Sequence, residues 1–172
     1  MKKVLLILIS LFNPVAAQDE PEVDFLEPLR FLIGSWDGEV TSDNGTGTGE
    51  RTFSLILNEN FIHIQNTIVI KNPDQTVQED WGILSSDYER ETYVLRQFSS
   101  EAFVCTYVVD SVSDDARLLV FRSEQIENAP ENSRSRITIM IHSDTSFTEI
   151  YEFTNEGQHS ADRIESRWTL RR

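Results

Sequence analysis

The sequence predicts an all-β protein: a single antiparallel up-and-down β-barrel of about ten strands, preceded by one short helix. Three observations carry that expectation. Ten β-type runs follow one another after Gly34, each bounded by turn residues. Several of these runs alternate apolar with polar residues, as a wall with one oily and one wet face must. No segment after Gly34 keeps a helical period over ten or more residues.

The first residues read as a secretory leader. Met1-Lys2-Lys3 is a positive start, Val4–Phe12 is apolar except for Ser10, and Val15-Ala16-Ala17 supplies the small residues of a cleavage site. The apolar run is about half the ~20 residues that a membrane span needs. Residues 1–17 are therefore expected to be a signal peptide, cut before Gln18, and residues 18–24 a loose acidic leader. The residue directly after the cut is Gln18 and not Cys, so a lipoprotein anchor is not expected, nor is a membrane span after cleavage. The expected compartment is secreted or periplasmic. Residues 25–172 form the expected barrel domain.

A short helix is expected from about Pro28 to Leu32, since Pro is tolerated in a first turn and Gly34 ends it. The strands follow as Trp36–Thr41, Glu50–Leu57, Phe61–Ile70, Thr76–Ser85, Thr92–Ser99, Ala102–Ser111, Arg117–Ser123, Ser135–Ser143, Phe147–Thr154 and Arg163–Arg171. Their connectors are mostly short and rich in Asn, Asp, Gly, Pro and Ser. Strands so joined make a meander, and closing it removes exposed edges. Ile62, Ile64, Ile68 and Ile70 share one parity, broken only by the polar Asn66. Ile164, Trp168 and Leu170 share a face in the last run, opposite Arg163, Glu165, Arg167 and Arg171. A cone-shaped α+β barrel would need long helices, which the chain does not offer.

The chain carries 29 acidic and 15 basic residues, a formal charge of −14. Lys71 is the only lysine after Lys3. Such a charge repels nucleic acid and anionic surfaces, so no nucleic-acid partner is expected. The single Cys105 cannot form an internal disulfide and reads as a buried small hydrophobe.

No catalytic constellation stands out. There is no G-x-S-x-G elbow and no Cys–His pairing. His63, His142 and His159 read as surface or rim residues without metal-ligand spacing. The run Ser42–Glu50, with Gly45, Gly47 and Gly49, precedes a strand rather than a helix, so it reads as a flexible rim hairpin and not a phosphate cradle. Glu149, Glu152 and Glu165 lie on strands, where an inward acid could serve as a general base.

The aromatic residues give the positive signal, because inward aromatics on a barrel of this size line an apolar pocket. The expected ligand contacts are Trp36, Phe53, Ile64, Trp81, Tyr93, Tyr107, Ile139 and Trp168.

The segment Pro28-Leu29-Arg30-Phe31-Leu32-Ile33-Gly34-Ser35-Trp36-Asp37-Gly38 resembles the opening of the nitrobindin-like β-barrels and their uncharacterised bacterial lipocalin-like relatives. Leu57–Phe61, Trp81-Gly82-Ile83 and Asp87-Tyr88 are similar to the bacterial branch. The resemblance implies a barrel closed at its base by the G-x-W segment. Nitrobindins hold haem through a His in the last strand; here the middle of that strand reads Ser166, Arg167, Trp168, Thr169. No cofactor is therefore expected, and haem is the alternative that the resemblance keeps open.

The expected function is an exported binding protein for a small apolar molecule such as a lipid, isoprenoid or tetrapyrrole, acting as monomer or homodimer. The alternatives are a barrel enzyme acting on a hydrophobic or haem-derived substrate, and a plugged barrel that serves as a protein-interaction module.

Overall fold

The computed structural model describes residues 26–71, 75–155 and 162–172. The expected leader (1–24), Phe25, His159 and parts of two connectors lie outside the described residues. Ten antiparallel strands close into one barrel. They are β1 (Gly34–Ser42), β2 (Gly45–Ile56), β3 (Phe61–Lys71), β4 (Thr76–Asp87) and β5 (Thr92–Ser99). The wall continues with β6 (Val104–Val112), β7 (Leu118–Glu127), β8 (Arg134–Ser143), β9 (Ser146–Thr154) and β10 (Asp162–Leu170). Each strand pairs with its neighbours in sequence, and β10 returns to β1 from Trp36↔Leu170 to Ser42↔Ile164.

The expected helix is a 3-10 helix, Glu27–Leu32. Its sequence explains the tighter winding. Leu26, Leu29 and Leu32 recur every three residues, and three residues per turn put them on one face. All three are buried, each contributing roughly 2 kcal/mol by the usual area relation. Backbone bonds Leu29 N→Leu26 O (2.9 Å) and Ile33 N→Arg30 O (3.1 Å) bracket the segment.

This helix plugs one end. The Trp36 indole N–H donates to Leu32 O at 2.7 Å, and its ring meets Phe147 edge-on at 4.8 Å. Arg30 reaches Glu59 in the β2–β3 turn at 3.0 Å. The main core gathers here, with Phe53, Ile62, Leu84, Leu119, Phe121 and Trp168. A smaller cluster of Val40, Ile68 and Ile70 lies toward the other end, packed with Ile164.

The Gly45–Gly49 stretch is strand rather than rim loop: β2 begins at Gly45, and only Asp43 and Asn44 turn. Close approach of β3 is the reason glycine serves there. A Cβ at Gly47 would stand 2.0 Å from Val69 O. Cys105 is buried, as its apolar run suggests. Among the described residues, no helix is long and apolar enough to cross a membrane.

Candidate functional site

A cavity of about 410 Å³ runs inside the barrel from the helix plug to the hairpin rim. Its size falls in the range of small-molecule pockets, roughly 300–1,000 Å³. Leu84, Leu95, Phe121 and Ile137 line its lower half, beside Leu29 and Leu32 of the plug. Asp43, Glu101 and Asp162 stand at its rim.

Between these levels, four polar side chains cross the lumen. Arg51 (β2), Asn66 (β3) and Asp80 (β4) are register partners in sequence, Arg51↔Asn66 and Asn66↔Asp80, so strand pairing alone sets them side by side. Arg51 Nε donates to Asn66 Oδ1 at 3.1 Å, and Asn66 Nδ2 donates to Asp80 Oδ2 at 3.1 Å. Arg51 then spans the lumen to β9. Its two terminal nitrogens donate to the two oxygens of Glu149 at 2.6 and 2.8 Å, a fork-to-fork pairing. The pair is nearly dry, 8% and 13% exposed.

Trp168 holds Arg51 in that pose. The guanidinium lies 4.3 Å from the indole centroid, within cation–π range. The ring in turn lies on two glycines paired across β1 and β2, Gly38 and Gly49. A Cβ on Gly38 or Gly49 would come within 2.7 or 2.6 Å of the ring. The final glycine of the opening motif thus makes room for an indole more than a hundred residues away.

Asp80 is the electrostatic exception. Burial pushes its carboxyl above the usual carboxylate range, against weaker opposing bonds from Asn66 and Ser99 and the field of Arg51. Burial also pushes the Tyr151 phenol, which lines the cavity, up to about 12. That phenol stays protonated at neutral pH.

The sequence-predicted contacts divide by parity. Phe53, Ile64 and Ile139 line the cavity. Trp36 and Trp168 are buried in the core rather than on the lining, one sealing the base and the other backing Arg51. Tyr107 is also buried, with its hydroxyl 3.1 Å from Ser135 Oγ, and Tyr93 packs against the same core. Trp81 lies on the outside of the wall, 47% exposed and edge-on to His63 at 4.8 Å. Its neighbours Asp80 and Gly82 take the inward positions, so alternation turns Trp81 out. Residue typing alone does not select Arg51, Asn66 and Asp80; the polar break at Asn66 in an isoleucine face was the available signal.

Among the described residues no His, Cys or Met lines the cavity, and those types supply most axial ligands. His142 bonds Thr148 Oγ1 at 2.8 Å, and His63 faces Trp81. Tyr151 offers only a phenol that resists ionisation. No three potential metal-binding side chains converge among the described residues.

No protein-family model matches the chain, and no curated protein matches its sequence. Among solved structures, it is similar to Rv2717c from M. tuberculosis at 15% identity and a TM-score of 0.70, over 87% of this chain and 99% of that one. It is also similar to EF1p2_mFAP2b bound to DFHBI, at 13% identity and a TM-score of 0.48, over 84% and 97% of the two chains. The likeness to the first of these is one of fold alone, a fold that in this chain is a closed antiparallel barrel of ten strands.

Proposed function

We propose that this protein is an exported carrier that holds one small, largely apolar ligand inside its barrel, in the lipid, isoprenoid or tetrapyrrole-like class. The observation that carries the reading is the cavity itself. A folded interior is normally close-packed, yet about 410 Å³ stays open between the helix plug and the rim. Its walls are mainly Leu, Ile and Phe, so burying an apolar ligand supplies the affinity, about 25 cal/mol per Å² of apolar surface removed from water. The open lumen favours binding over a plugged interaction module.

Turnover is less well supported. An enzyme of this design wants an inward acid or base whose free partner is the substrate. Glu149 is held by Arg51, and Asp80, though without an ion-pair partner, already accepts bonds from Asn66 and Ser99. Export rests on the leader pattern of residues 1–17.

Native mass spectrometry of the secreted protein tests both parts. The expected result is a chain starting at Gln18 with a one-to-one apolar adduct that organic solvent removes. A chain that retains Met1 and stays in the cytoplasm would overturn export. A protein that stays empty and takes up no apolar probe would overturn carriage. A Soret band with one haem per chain would support a tetrapyrrole ligand and overturn the expectation of no cofactor.

A further inference from the structure

The charge inside the cavity is unbalanced at one particular place. Five carboxylates line it: Asp43, Asp80, Glu101, Glu149 and Asp162. Two arginines accompany them, Arg51 and Arg163. Arg51 is committed to Glu149 through both terminal nitrogens and to Asn66 through Nε. Arg163 bonds Glu165 at 3.0 Å. Lys71 is exposed at the end of β3 and is not part of the lining.

Below the rim, Asp80 is therefore the lining carboxylate that forms no ion pair among the described residues, although the field of Arg51 reaches it. Its bonds come from a neutral amide and a neutral hydroxyl, Asn66 and Ser99. It sits at the boundary between the apolar lower chamber and the rim. The next inward position on its strand is Gly82, where Leu95 and Ile64 close in on the backbone. A part-buried carboxylate whose desolvation is only partly offset by Asn66, Ser99 and the field of Arg51 costs folding energy, and its raised pKa reflects the same cost. A ligand bearing a positive charge at that height would remove it.

Resting on the carrier reading, we propose that the ligand is an amphipathic cation. Its apolar body lies against Leu84, Leu95, Phe121 and Ile137, and its protonated amine or ring nitrogen pairs with Asp80. The rim supports the same sign. Asp43, Glu101 and Asp162 surround the entrance of a protein whose formal charge is −14. Such an entrance draws in cations and repels fatty carboxylates. A carboxylate head carried to the middle of the lumen would meet Asp80 and Glu149.

Three probes with one tail separate the possibilities: dodecylamine, dodecanol and dodecanoate, titrated calorimetrically into the purified protein below their micelle concentrations. The amine is expected to bind about tenfold or more tighter than the alcohol, as a charge-assisted hydrogen bond should deliver, and dodecanoate weakest. Added salt should weaken the amine and leave the alcohol unchanged. Asp80→Asn should abolish the amine's advantage while alcohol affinity stays within about twofold. The ranking on the unmodified protein decides the matter even if that variant misfolds. Equal affinities, or dodecanoate tightest, would overturn the cation inference and leave the carrier reading standing. No binding by any of the three would overturn the carrier reading itself.

Discussion

The closed end of the barrel and its middle are built on opposite terms. At the closed end, Leu26, Leu29, Leu32, Trp36 and Phe147 are buried, and the Trp36 indole N–H meets Leu32 O. Burial there is apolar, satisfied and directly stabilising. In the middle, Arg51, Glu149, Asn66 and Asp80 bring charged and polar groups into the lumen, and the Arg51–Glu149 pair is nearly dry. A buried ion pair seldom outperforms apolar residues of the same shape, because desolvation offsets the attraction. The base therefore exists for folding. The polar level is better explained by what it positions in the cavity than by the stability it adds.

Four single substitutions and one paired change test this contrast. Trp36→Ala removes a fully buried ring from the plug. It is expected to cost about 4 kcal/mol in urea unfolding, as large-to-small core changes do. Glu149→Ala leaves Arg51 buried without its partner, for an expected loss of about 3 kcal/mol. The paired change Arg51→Met with Glu149→Leu should recover most of that loss. If the single variant unfolds like the parent protein, the lumen is wetter at that level than the contrast requires. Gly49→Ala drives a methyl into the Trp168 ring, for an expected loss of about 2 kcal/mol from overpacking. The change in tryptophan emission should accompany it.

The smallest effect is expected at Asp80, and it has a sign. Burial raises this carboxyl's pKa in the folded state, so folding favours the protonated form. Above the raised value, the ionised group costs stability; as pH falls through that value toward the ordinary carboxylate range, the cost fades. Asp80→Asn is therefore expected to melt higher than the parent at pH 7 and to lose that advantage on acidification. A variant that melts lower at pH 7 and gains on acidification would reverse the assignment.

Much of the architecture was legible because it is local. Alternation and turn residues mark each strand, and β5 occupies Thr92–Ser99 as read from the chain. The 3-10 winding follows from leucines three apart. The Gly45–Gly49 stretch was misread as a loop because its glycines serve the approach of a neighbouring backbone, which composition does not reveal. The site was only half legible. Asn66 interrupts an isoleucine face, and Glu149 is one of the strand acids that parity can turn inward. Their meeting through Arg51 depends on closure of β10 onto β1, and Arg51 and Glu149 are 98 residues apart. Trp81 shows the converse limit. In Trp81-Gly82-Ile83-Leu84, apolar residues flank one another on both faces, so the pattern leaves the inward parity open. Only pairing with β3 and β5 turns Trp81 outward.

The central claim is that the lumen, and not the outer wall, takes up the ligand. Titration with the neutral fluorophore N-phenyl-1-naphthylamine tests it most directly on three proteins: the parent, Ile139→Trp, which fills the cavity, and Trp81→Ser, which strips the exposed aromatic from the wall. The account predicts saturable one-to-one binding to the parent, weakened about tenfold or more by Ile139→Trp through lost space and unchanged by Trp81→Ser. Binding that survives Ile139→Trp but disappears with Trp81→Ser would contradict it.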